Sequence, residues 1–186
     1  MAAPSEGCPP IIESRLPVAE GCRRRTVLVL MRQPVYAEMI VNCTPFDCCH
    51  ARNRREALAA LDAHDLHALL ALSPDDEPGS AGAVIREFRA RFPGGLTIYH
   101  GCDYRLEVSG ARALECGADV LVAGGMLVSD FLRLLLTTMV MKTEGSLPPP
   151  SQEWYDRLLR ELCRNSAFWK SAEMLRECGA PASACY

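Results

Sequence analysis

His100-Gly101-Cys102-Asp103 sets an imidazole, a thiol and a carboxylate within four consecutive positions. Cysteine chemistry needs the thiolate, so Cys102 would require activation by an imidazole or a helix terminus. Neighbours in a turn rarely point at one another, and no distant partner declares itself, so a catalytic role for His100, Cys102 and Asp103 is the alternative to a purely structural turn. A second turn, Gly124-Gly125, follows the apolar run ADVLVA. Paired glycines let backbone N–H groups converge at the start of the next helix, which makes Gly124 and Gly125 an anion-binding candidate. Tight strand-to-helix turns also require glycine with no ligand involved.

Cys43, Cys48, Cys49 and His50 form the densest set of metal-ligand residue types, with His64 and His67 downstream. Zinc takes four nitrogen or sulfur ligands in a tetrahedron, but the spacing C-x4-C-C-H matches no standard knuckle. The chain holds ten cysteines and opens without a positive start and apolar run. Reduced thiols are therefore the default and no cofactor is expected, with zinc as the alternative. Near the C-terminus, Trp154, Tyr155, Phe168 and Trp169 concentrate aromatic surface. Trp154, Tyr155 and Trp169 are candidates for binding a partner, unless the face that carries them packs on the chain's own sheet.

These residues must be positioned by elements that the patterning suggests. Residues 1–22 read as a flexible tail, residues 23–145 as an α/β domain, and residues 146–186 as a Pro-rich linker with two helices packing on that domain. TVLVLM at 26–31 and VYAEMIV at 35–41 read as strands, joined at Gln33-Pro34 into an antiparallel hairpin. NCTPFDCCH reads as a loop, and 52–71 as helix in one piece or two. Ser80 can cap a helix carrying Val84, Ile85, Phe88 and Phe92. A strand at 96–100, a helix at 109–116 stopped by Gly117, and a strand at 118–123 form a parallel, right-handed βαβ unit. The helix at 127–141 is apolar almost all round, which suggests burial between layers or against a partner. The expected fold is a small three-layer-like α/β sandwich: a four-stranded mixed sheet with one parallel βαβ unit, plus a C-terminal helical pair.

Bulk properties narrow the function classes. The chain has 186 residues, 49% hydrophobic and 23% charged, with net charge −3. That size suits one domain with a proper core. No basic field is present to hold nucleic acid or an anionic membrane. The most apolar segment is interrupted by Ser129, Asp130 and Arg133 and falls short of the about 20 residues that a span needs. A soluble, cytoplasmic protein is expected.

LECGADVLVAGGMLVSDF resembles the last strand and phosphate loop of phosphate-binding TIM barrels such as ribulose-phosphate epimerases, which would set Gly124 and Gly125 facing a phosphate. Eight βα units take roughly 200 residues or more, so only that local geometry is retained. HARNRREALAALDAHDLHALLALSP and IYHGCDYRLEVSGARALECGADVLV together resemble a small uncharacterised protein of vertebrate poxviruses. That likeness implies a viral accessory protein of the host cytoplasm and carries over no catalytic residue. The resulting expectation is a non-catalytic protein that acts by binding another protein, with self-association compatible. The alternative is a small phosphate-ligand-binding domain or enzyme using the turns at 100–103 and 124–125.

Overall fold

The computed structural model describes residues 8–17, 24–72, 79–101, 106–123 and 128–163. The apolar runs assemble into one six-stranded sheet in the order β1-β3-β2-β4-β5-β6. β1 is Ile11–Ile12, β2 Arg25–Leu30, β3 Phe46–Ala51, β4 Ala68–Ala71, β5 Leu96–Gly101 and β6 Val120–Ala123. The strands from β3 to β6 run parallel, and only β1 joins antiparallel, on the outer edge of β3. Parallel neighbours need crossovers, and helices supply them on both faces. In chain order these are α1 Val35–Cys43, α2 Arg54–Ala63, α3 Ser80–Arg91, α4 Leu106–Cys116 and α5 Val128–Glu144. α1 packs with α5, while α2, α3 and α4 pack in series on each other.

Three features depart from the sequence expectation. Residues 35–41 form helix α1, not the second arm of a hairpin. Pro34 stands at its N-cap, where a fixed φ and a missing N–H start a helix without loss. Much of the supposed loop NCTPFDCCH lies in strand β3, FDCCHA, which is buried along most of its length. The stretch 52–71 divides into α2 and strand β4, Ala68–Ala71, whose four residues are all buried. A continuous apolar run between two covering layers shows neither a helical nor an alternating period, so its pattern does not declare it. The α/β class and mixed sheet hold, but the sheet has six strands instead of four.

The βαβ unit is present as β5-α4-β6, with Gly101 opposite Ala123 in a parallel register. Gly117 takes φ +73° and closes α4, a conformation that favours glycine. Beyond a turn, α6 (Gln152–Cys163) packs on β6, α4 and α5. The second helix expected near the C-terminus lies outside the described residues. β1 falls within the stretch expected to be a loose tail. Among the described residues no helix is long and apolar enough to cross a membrane.

Candidate functional site at the carboxyl rim

β2 sits between β3 and β4, so successive crossovers leave it in opposite directions. Such a reversal opens a crevice beyond the carboxyl ends of the strands, where open α/β sheets place their ligands. Three segments that follow strands at this rim, 73–78 after β4, 102–105 after β5 and 124–127 after β6, lie outside the described residues. Cys102, Asp103, Gly124 and Gly125 belong to the last two and lie outside the described residues. The exits of β5 and β6 are neighbours in the register, with Gly101 opposite Ala123.

Of the site residues expected at this rim, His100 lies within the described residues. Its side chain is 8% exposed, one position before the end of β5. Nε2 lies 3.0 Å from the hydroxyl of Tyr36, which the first turn of α1 brings across from the exit of β2. The Tyr36 ring meets His100 edge-on at 5.3 Å between centroids and Phe131, from the first turn of α5, at 4.8 Å. Burial in this aromatic setting lowers the His100 pKa to about 4, so the imidazole is neutral near pH 7. A neutral ring has one donor and one acceptor nitrogen, and Tyr36 satisfies only one. Nδ1 is buried with no hydrogen-bond partner.

Nδ1 has company. Among the described residues the buried side-chain polar atoms without a partner are Ser80 Oγ, His100 Nδ1 and Asp130 Oδ2. Ser80 opens α3 after β4, His100 is the penultimate residue of β5, and Asp130 lies in the first turn of α5 after β6. All three therefore stand at the same edge of the sheet. Leaving a buried polar atom unpaired costs about 1–3 kcal/mol, so interiors normally avoid it. Concentration of these atoms on the ligand edge is what a site built to receive hydrogen bonds would show.

Elsewhere on the rim, the His50 ring donates from Nε2 to the Met31 carbonyl at 2.8 Å, tying the exit of β3 to that of β2. Asn53 caps α2 by accepting the Glu56 N–H at 2.9 Å, and Glu56 in turn accepts the Arg52 N–H at 2.9 Å. Burial pushes the Glu56 carboxyl up, but the Arg52 and Asn53 donors outweigh it and hold the pKa below the usual range.

The cysteine cluster does not converge. Cys43 is exposed at the end of α1, whereas Cys48 and Cys49 are buried on opposite faces of β3 by strand alternation. His50 is already committed to Met31. Among the described residues no group of three His, Cys, Asp or Glu is placed to hold a metal ion. Trp154 and Tyr155 are 4% and 0% exposed and face inward. The Trp154 indole donates to the Asp119 carbonyl at 2.9 Å, and the Tyr155 hydroxyl donates to the Ala118 carbonyl. They fasten α6 to the sheet, which leaves neither on the surface for a partner. Trp169 lies outside the described residues.

Sequence reasoning missed Tyr36, Phe131, Ser80 Oγ and Asp130. Tyr36 was hidden by assigning its segment to a strand, and only Pro34 signalled otherwise.

No protein-family model and no curated protein matches the chain. Solved structures do. A CheY-like response regulator receiver domain from Methanospirillum hungatei JF-1 superposes with TM-score 0.57 at 16% identity, covering 66% of this chain and 99% of that one. The signal receiver domain of an HD domain-containing protein from Pseudomonas fluorescens Pf-5 gives 0.57 at 18%, covering 70% and 97%. The isolated REC domain of RcsB from Salmonella enterica serovar Typhimurium, in the presence of phosphomimetic BeF3-, gives 0.53 at 15%, covering 73% and 99%. The chain thus has the fold of a receiver domain. This overturns the expectation of a non-catalytic viral accessory protein, since the architecture it shares is that of bacterial and archaeal signalling domains. The comparisons do not bear on the poxvirus resemblance.

Proposed function

We propose that the chain is a signalling domain of the receiver type, which takes its signal at the carboxyl rim and passes it to a protein partner through α1 and α5. The observation that carries this reading is the gathering of unpaired Ser80 Oγ, His100 Nδ1 and Asp130 Oδ2 at the rim of a sheet in receiver order. An event that engages Nδ1 alters a ring whose other nitrogen holds Tyr36 on α1, and Tyr36 in turn abuts Phe131 on α5. Both helices therefore feel it. Coupling between two sites requires that such a contact take two arrangements, which the signalling role assigns to Tyr36.

The RcsB likeness raises the question of a phosphoryl group, because that domain was solved with a phosphomimetic. A phosphoryl acceptor with a hard divalent cation needs carboxylate oxygens. β2 here leads into Met31 and Arg32, β3 into Arg52, and β4 into Leu72. Among the described residues these strand exits offer a thioether, two guanidinium groups and an aliphatic chain, none of them a ligand for such a cation, while Asp75, Asp76, Glu77 and Asp103 lie outside the described residues.

Photo-crosslinking from Val35, at the start of α1, and Val140, on the outer face of α5, tests the signalling role; both are exposed. A partner captured there should bind Tyr36→Phe with an affinity changed at least about fivefold, a coupling of about 1 kcal/mol. Equal affinity for the wild type and Tyr36→Phe, or no partner from either position, refutes the reading.

A further inference from the structure

Residues 8–17 run along the outer edge of β3, yet their ladder is only the two residues of β1. At the start of this strap, Cys8 Sγ donates to the Pro9 carbonyl at 3.6 Å, and Cys49 Sγ donates to the same oxygen at 3.4 Å. Two thiols from distant parts of the chain thus share one acceptor. The His64 ring completes the group: Nε2 is 3.1 Å from the Pro9 oxygen and 3.5 Å from Cys8 Sγ. The bond to Pro9 requires Nε2 to carry the proton, which leaves that N–H beside the Cys8 sulfur. Cys8 is half-buried and Cys49 fully buried.

We propose that Cys8 and Cys49 form a reversible disulfide that staples the N-terminal strap to β3, made by exchange with a small-molecule disulfide such as oxidised glutathione. Cys8 attacks first because it is the accessible thiol. Its thiolate bonds to one glutathione sulfur, the glutathione S–S bond breaks, and one glutathione leaves as thiolate to take up the proton that Cys8 released. Cys49 then gives up its proton and attacks the Cys8 sulfur. The Cys8–Cys49 bond forms and the second glutathione leaves as thiolate, taking that proton. Two cysteine thiols are oxidised and one glutathione disulfide is reduced to two thiols. Burial, the nearby Cys8 and Glu56 push the Cys49 thiol up to about 12, so it is not the initial nucleophile but the resolving one, driven by proximity. His64 is a positioning residue that favours the Cys8 thiolate, against the burial that raises the Cys8 pKa.

The full-length protein is incubated with oxidised glutathione, and its unreduced peptides are mapped by mass spectrometry. The main product should link Cys8 to Cys49, and Tm should rise by about 5 °C or more because a long loop is closed. Cys8→Ser should lose both effects and Cys48→Ser, altered on the opposite face of the strand, should keep both. His64→Ala should slow alkylation of Cys8 by iodoacetamide about threefold at pH 7 and move its pH profile upward. A Cys8–glutathione adduct that persists as the main product overturns the proposal, as does pairing of Cys8 with another cysteine or an unchanged Tm.

Discussion

At the scale of single residues, the molecule places its charges in two different ways. Asp119, ahead of β6, is 3% exposed and surrounded by donors: the Thr97 N–H and hydroxyl at 2.9 Å each, Arg89 at 3.2 Å and Lys142 at 3.0 Å. Asp119→Ala would leave those donors unpaired, and urea denaturation should show a loss of about 3 kcal/mol. His100 works in the opposite sense. Its folded pKa of about 4 lies below the ordinary 6.5, so between those values the unfolded chain binds a proton that the folded chain refuses. The His100 contribution to stability should fall as the pH drops from 6.5 towards 4, by about 3 kcal/mol at most, and level off below. His100→Gln should flatten that part of the pH–stability curve; an unchanged slope would remove His100 as its source. The sequence did single out His100. Its partners were illegible because a hydrogen bond from residue 36 to residue 100 depends on the sheet order, which no local pattern encodes.

At the scale of elements, the readable pieces were those whose ends carry special residues. β5-α4-β6 was legible because Gly117 must stop α4 and short apolar runs flank it. α3 was legible from Val84, Ile85 and Phe88 and the break at Pro93. β4 was not, since ALLA fits either a buried helix or a buried strand. α1 was misread because Val35, Ile40 and Val41 favour strands in isolation and tertiary burial overrode them. Close approach between elements gives a further test. A Cβ on Gly101 would meet Ser109 Oγ and Cβ at 2.3 and 2.5 Å, where β5 and α4 touch. Gly101→Ala should therefore cost about 1–3 kcal/mol in urea denaturation by forcing α4 away from the rim. Tyr155→Phe should cost about 1 kcal/mol, as α6 keeps its packing but loses the bond to Ala118.

For the whole molecule, stability should be graded across the sheet. β2 and β4 are paired on both edges and covered on both faces, whereas β1 contributes two residues to an outer edge. Native-state hydrogen exchange is expected to be slowest at Val27–Leu30 and Leu69–Ala71 and fastest at Ile11 and Ile12. Equal protection of β1 and β2 would contradict a graded sheet. The order of the apolar runs already indicated an α/β sheet, but the central placement of β2 became visible only once β3 and β4 were found on either side of it.

That central placement bears on how the chain is made. Within the described sheet β2 leaves the ribosome before both of its neighbours, which are encoded after it. At about 5–20 residues per second, several seconds of translation separate Leu30 from Ala71. Until β3 emerges VLVL has open edges on both sides, and until β4 follows one edge stays open, so the nascent protein must be shielded during synthesis or risk pairing with the wrong strand.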